Sequence, residues 1–136
     1  MADIRKVTAD FSVAPQIALA DVADAAKAGF KMLINNRPDG EAPDQPTSAQ
    51  VEAAAKAAGM AYAHIPVTGR PTPEQVEAEQ AILAAASGPV LAYCRSGTRS
   101  IVTWSLGEAA AGARSREELV KLGAGAGYDL AAVLPG

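Results

Sequence analysis

The stretch Tyr93-Cys94-Arg95-Ser96-Gly97-Thr98-Arg99-Ser100 holds the one cysteine of the chain and surrounds it with two guanidinium groups, three aliphatic hydroxyls and a glycine. A cysteine kept for packing behaves as a small hydrophobe and needs no such neighbours. A nucleophilic one does. Thiolate is the reactive form, and cations together with inward-pointing backbone N–H groups favour it over the thiol. Cys94 closes the apolar run Pro89-Val90-Leu91-Ala92-Tyr93, Gly97 permits a tight or left-handed bend, and Arg99 with Ser100 opens a run of helical composition. A loop bent around a helix amino terminus gathers N–H dipoles into a concave anion site. On this reading Cys94 is the nucleophile and Arg99 closes the cradle. Ser96, Gly97 and Thr98 line it with their amides, Ser100 donates to the sulfur, and Arg95 faces outward to attract an anionic substrate.

The elements that must position this loop alternate along the chain. Residues 10–14 read as a short strand. Residues 19–30 read as a helix with Leu19, Val22 and Ala26 on one face and Gly29 as its stop. A strand follows over 31–36, then a polar loop rich in Pro, Asp and Gly. Ser48 is the expected cap of a helix reaching Gly59, with Val51, Ala54, Ala55 and Ala58 on one side. Another strand spans 60–67, and Thr72 followed by Pro73 starts a helix ended by Ser87-Gly88. The strand 89–94 has no polar side chain before Tyr93, as expected for a strand covered on both faces. A mostly buried helix over 100–112 and one or two short, glycine-broken helices complete the chain. Strands separated by helices predict parallel crossovers: an α/β three-layer sandwich around a central, mainly parallel sheet of four to five strands. Ligands of such folds sit beyond the carboxyl ends of the strands, where Cys94 lies.

Composition bounds the rest. The 136 residues contain no internal repeat and no dividing linker, so one domain over 1–136 is expected. Hydrophobic residues at 49% with aromatics at 4% give an alanine-rich globular chain with a core of small aliphatics. A net charge of −3 argues against a broad nucleic-acid-binding face. One cysteine and one histidine exclude an intramolecular disulfide and an all-protein zinc site of Cys and His, and no cofactor is expected. The start of the chain has acid where a signal peptide has base, and no run of about 18 apolar residues occurs. A cytoplasmic location with no membrane contact is the expectation, and there a lone thiol stays free.

The segments 10–41, His64-Ile65-Pro66-Val67 and Gly88–Ser100, in that order, are similar to the phosphatase-like domain of the beta-lactamase-hydrolase-like family, over roughly residues 8–110. The loop itself resembles those of rhodanese-type sulfurtransferases and cysteine-dependent phosphatases. The resemblance implies a dual-specificity-phosphatase-like fold. It also implies sulfur transfer beside, or fused to, a persulfide-oxidising metalloenzyme or a sulfide-quinone oxidoreductase as partner.

Two features weigh sulfur against phosphate. Four residues separate Cys94 from Arg99, whereas the phosphatase pattern has five, and a smaller ring of amides suits a persulfide better than a tetrahedral phosphoryl group. The segment 64–74 contains no Asp to protonate a departing oxygen, whereas sulfite or a thiolate leaves without strong protonation. The sequence therefore favours a sulfurtransferase in which Cys94 carries sulfane sulfur from thiosulfate or a thiol persulfide to a thiol or sulfite. A cysteine-dependent phosphatase is the alternative, and a non-catalytic anion-binding module the third reading.

Further residues carry paired readings. Arg37 and Asp39 follow a strand on the same sheet edge, either orienting Arg99 and contacting the substrate or serving an ordinary Asn-Pro-Asp-Gly turn. Asn35 and Asn36 tie loops together or bind. His64 is a base near the pocket or, by preference, a histidine satisfied by one backbone carbonyl. Trp104 and Tyr93 read as packing, and Arg70 as a solvated loop charge rather than a lid.

Overall fold

The computed structural model describes residues 2–135. Its elements are β1 (Arg5–Lys6), β2 (Phe11–Ala14), α1 (Leu19–Lys27), β3 (Met32–Asn35), α2 (Ser48–Ala57), β4 (Ala61–His64), α3 (Pro73–Ala85), β5 (Val90–Tyr93), α4 (Thr98–Ala110) and α5 (Arg116–Gly125). The five strands form one sheet in the order β1-β2-β5-β3-β4. Strands β2 to β5 are mutually parallel, and β1 pairs antiparallel with β2 at the edge. The expected α/β sandwich with a mainly parallel sheet is therefore present. The two-residue β1 is an addition that a period-2 reading does not detect, because Arg5 and Lys6 give it no apolar alternation.

Alternation of side chains across the strands divides the core in two. Val13, Ile34, Val90 and Ala92 face one layer, where they meet Ile101, Trp104, Leu119 and Leu130 from α4, α5 and the segment after it. Ala14, Leu33, Leu91 and Tyr93 face the other, with Val22 and Ala25 of α1 and Val51 and Ala55 of α2. All four residues of β5 are buried, in keeping with a central parallel strand covered on both faces. Trp104 is a core residue, its ring stacked on Phe11 at 5.1 Å between centroids. Tyr93 is buried on the face opposite to Trp104.

The helix starts follow capping chemistry, with small shifts from expectation. Thr47, not Ser48, caps α2: its side chain accepts from the Gln50 N–H while the Gln50 side chain accepts from the Thr47 N–H. Thr72 and Gln75 form the same box at α3. In α1 the buried positions are Val22 and Ala25, and Leu19, expected on that face, is 40% exposed at the first helical position. A single closing helix, α5, stands where one or two were expected.

One buried charge is not explained by packing. Glu79 of α3 is 1% exposed, with Oε1 accepting from Asn36 Nδ2 at 2.9 Å and Oε2 lacking a partner, as does Asn36 Oδ1. Burial pushes its carboxyl up to about 7, against an opposing pull from the Asn36 hydrogen bond. The native chain thus holds a proton that the unfolded chain, with an ordinary carboxyl near 4.5, releases. The contribution is fully present below pH 4.5 and is lost as pH rises to 7, a difference of about 3 kcal/mol. E79Q is expected to raise stability at pH 8 and to flatten this dependence, as read by urea unfolding at several pH values.

Candidate active site

The carboxyl ends of β2, β5 and β3 lie side by side, and the chain leaving each contributes to one cluster. After β5, Cys94 is 0% exposed and its Sγ accepts a hydrogen bond from the Gly97 N–H at 3.1 Å. Gly97 has φ +88°, a left-handed conformation that a Cβ would strain, and it forms the N-cap of α4. The helix begins at Thr98, one residue before Arg99 and two before the expected span of 100–112. The loop is anchored by the segment that follows β2, where the Gln16 N–H donates to Arg95 O at 3.2 Å.

Arg99 lies across the loop. Its guanidinium is bidentate to Glu41, with Nη1 to Oε2 and Nη2 to Oε1 both at 2.8 Å, and Nη1 also donates to Val67 O at 2.6 Å. Glu41 is shared, because Arg37 Nε donates to its Oε1 at 3.0 Å while Arg37 Nη1 reaches Gln16 Oε1. Arg37 is 5% exposed, so Glu41 also neutralises a guanidinium drawn into the interior. The hydrogen bond from Arg99, with that from Arg37 behind it, holds the Glu41 carboxyl down to about 2 despite some desolvation. The Arg99 pKa is raised, first by Glu41 and further by its proximity to Cys94, so this side chain links carboxylate and thiol.

The remaining residues expected at the site divide. Arg95 is exposed. Ser96 and Thr98 are also exposed, with Ser96 Oγ donating to Thr98 Oγ1 at 3.0 Å. The Thr98 N–H points to Ser96 Oγ at 3.5 Å rather than to the sulfur, so the Gly97 amide is the one seen to reach Sγ. Ser100 Oγ is buried without a hydrogen-bond partner, so the expected donation to sulfur is not formed; with α4 starting at Thr98, this side chain is sealed inside the first turn. Arg37 joins Arg99 through Glu41. Asp39 does not: its Oδ1 accepts from the Ser48 N–H at 2.8 Å at the start of α2, the turn-type role. The carboxylate that meets Arg99 lies two residues further on.

Around this cluster, Asn35 Oδ1 accepts from the Arg37 N–H, and Asn36 Nδ2 donates to Ile65 O and Glu79, so both asparagines tie loops together. His64 Nε2–H donates to Arg37 O at 2.8 Å, which gives the ring a structural partner and fixes its tautomer. Arg70 is exposed, its Nη1 3.5 Å from Val133 O, and with Gly69, Thr98, Arg99 and Val102 it borders a groove of about 240 Å³. The sequence reading missed Glu41, which lies in the polar loop after β3 and pairs with both Arg37 and Arg99. It also missed Tyr128, whose hydroxyl donates to Ser96 O at 2.9 Å.

A sheet of this order, with a cysteine loop between its central strand and the amino end of a buried helix, defines a protein of the tyrosine and dual-specificity phosphatase fold. Within that class the chain belongs to the family described as beta-lactamase hydrolase-like protein, phosphatase-like domain, whose profile matches residues 3–111. The beta-lactamase hydrolase-like protein of Agrobacterium fabrum is 41% identical over 93% of the chain, and the match covers 30% of that relative's length. The chain thus spans about a third or less of the curated relatives it matches. A crystal structure from Neisseria meningitidis Z2491, of a protein with a provisional phosphatase assignment, is 34% identical with a TM-score of 0.83, covering 95% of this chain and 92% of that one. Pseudomonas aeruginosa TpbA, crystallised with pTyr, shares the fold alone: 15% identity, TM-score 0.67, and coverage of 93% of this chain and 75% of that one. Among the described residues, no helix is long and apolar enough to cross a membrane.

Proposed function

We propose that the chain is a cysteine-dependent hydrolase of phosphate monoesters, with Cys94 as nucleophile. The observation that carries this reading is the Cys94 sulfur facing the Gly97 N–H at the start of α4, beneath an Arg99 held by Glu41, on a phosphatase fold. The thiolate attacks phosphorus, the P–O bond to the leaving group breaks, and the departing oxygen takes the electron pair. Arg99 and the loop amides balance the charge on the phosphoryl oxygens. Water then attacks the phosphocysteine, the P–S bond breaks, and phosphate leaves with the thiolate restored. The test is hydrolysis of p-nitrophenyl phosphate and its block by vanadate; no turnover above background overturns the reading.

The segment between β4 and α3 offers no Asp, and Glu41 is bound to two guanidinium groups with its carboxyl held near 2, so neither supplies the departing oxygen with a proton. Substrates whose leaving oxygen needs no proton are therefore preferred. The rate on an aryl phosphate is expected to exceed that on an alkyl phosphate by about 100-fold or more, the usual contribution of a general acid. Initial rates on p-nitrophenyl phosphate and a phosphoserine peptide check this.

Sulfur transfer is the second reading, favoured by the four-residue spacing of Cys94 and Arg99 and by the same missing acid. The described relatives and the fold lend it less support than they lend phosphate chemistry. In that reaction the thiolate attacks the outer sulfur of thiosulfate, the S–S bond breaks and sulfite leaves with the electron pair. A thiol or a second sulfite then removes the sulfur, and a persulfide-oxidising metalloenzyme or a sulfide-quinone oxidoreductase is the partner proposed. The mark of this reading is a mass gain of about 32 Da on Cys94 after thiosulfate, absent in Cys94→Ser.

A further inference from the structure

We propose that Tyr128 is a positioning residue for the cysteine loop, turning the Ser96–Gly97 peptide so that its N–H faces the sulfur; this rests on the reading of Cys94 as a nucleophile. Ser96 C=O and Gly97 N–H belong to one planar trans peptide and point in opposite directions. Tyr128 Oη–H donates to the carbonyl end at 2.9 Å, and Cys94 Sγ accepts from the amide end at 3.1 Å. Holding one end outward holds the other inward. The bond to the carbonyl also polarises the peptide and strengthens its N–H as a donor.

The chain builds a mount for this hydroxyl. Helix α5 ends with Gly127 at φ +91°, whose N–H donates to Ala124 O, and with the Tyr128 N–H donating to Gly123 O at 2.8 Å. This is a Schellman stop that delivers the next side chain at a fixed angle. From the edge strand, the Arg5 guanidinium lies 5.2 Å from the Tyr128 ring centroid, and its Nη1 reaches Ala126 O at 3.4 Å. A Cβ at Gly97 would overlap Tyr128 Oη, so the glycine serves the close approach as well as the left-handed turn. Burial keeps the phenol above its ordinary value, a tendency that Arg5 opposes and Cys94 and Asp3 support, so it stays protonated and able to donate at neutral pH. Tyr128 lies beyond the segment matched by the family profile, which ends at residue 111.

The charged groups around the sulfur and its mount are Arg99 with the Glu41 carboxylate bound to it, Arg5 and Asp3. Tyr128→Phe removes one oxygen and leaves these in place. Iodoacetamide alkylation of Cys94 across pH needs no substrate, so it reads the loop even if no phosphate ester is hydrolysed. The alkylation profile of Tyr128→Phe is expected to move to higher pH by roughly half to one unit, reflecting a weakened hydrogen bond to an anion. Arg5→Gln, which disturbs the mount but keeps the hydroxyl, should move it in the same direction by less. On p-nitrophenyl phosphate, kcat should fall about fivefold to tenfold with KM within about twofold, the split for an interaction used in the transition state. Superimposable alkylation profiles for wild type and Tyr128→Phe overturn the proposal. Wild-type protein that alkylates normally but hydrolyses nothing overturns the phosphatase reading instead.

Discussion

Cys94→Ser is expected to reduce p-nitrophenyl phosphate turnover by at least about 1,000-fold, because losing the nucleophile removes the covalent route entirely. The substitution is nearly isosteric, and the hydroxyl can accept from the same Gly97 N–H that now reaches Sγ at 3.1 Å. Its unfolding midpoint should therefore stay within a few degrees of wild type, so that lost turnover is not lost fold. Among the described residues the hydrogen bond at this position comes from the Gly97 N–H, and no imidazole or carboxylate is bonded to it that could remove a serine proton; Glu41 is held by two guanidinium groups. The thiol is thus the group the site can use without an added base. Retention of more than a tenth of the wild-type rate would place the chemistry elsewhere.

The second large effect concerns Glu41. In E41Q the bidentate partner of Arg99 becomes a neutral amide, and one of its two positions presents N–H to a cation. Arg99 is then free to leave the loop, and kcat/KM is expected to fall about tenfold or more, the loss of one charge-assisted, geometry-setting pair. The same change leaves Arg37, 5% exposed, with Gln16 as its remaining side-chain partner, at a cost of about 2 kcal/mol of stability at neutral pH. The pH dependence has a definite sign. A carboxyl lowered from 4.5 to about 2 contributes stability above pH 4.5 that disappears as pH falls toward 2. The gap between wild type and E41Q should therefore be full at pH 6 and close in acid. Unfolding in urea at pH 6 and at pH 2.5 measures it; a gap independent of pH would detach Glu41 from the ion pair.

These two residues also mark how far the sequence carries. Cys94, Gly97 and Arg99 are legible because local chemistry demands them: a thiol at a strand end, a glycine where φ is +88°, and a cation at the next helix. The parallel core is equally legible from β3 and β5, whose apolar runs allow no solvent face. Glu41 was hidden because its role arises between elements. Arg99 reaches it across 58 positions of sequence, and the loop that carries it reads as a turn, drawing attention to Asp39 instead. Tyr128 was hidden for the same reason, since only the Schellman stop of α5 brings it to Ser96. The preference for sulfur over phosphate rests on loop length, which bears on the size of the amide cradle, and on a missing Asp, which bears on the leaving group; neither fixes the substrate. The fold and the described relatives shift the balance toward phosphate.

The most direct measurement is intact and peptide mass after mixing the protein with p-nitrophenyl phosphate and quenching in denaturant within the first turnovers. A phosphoryl adduct of about 80 Da is expected on the peptide containing Cys94, absent from Cys94→Ser, as covalent catalysis requires. Turnover without that adduct, or a sulfur adduct of about 32 Da from thiosulfate with no phosphoryl adduct from the ester, would contradict the account.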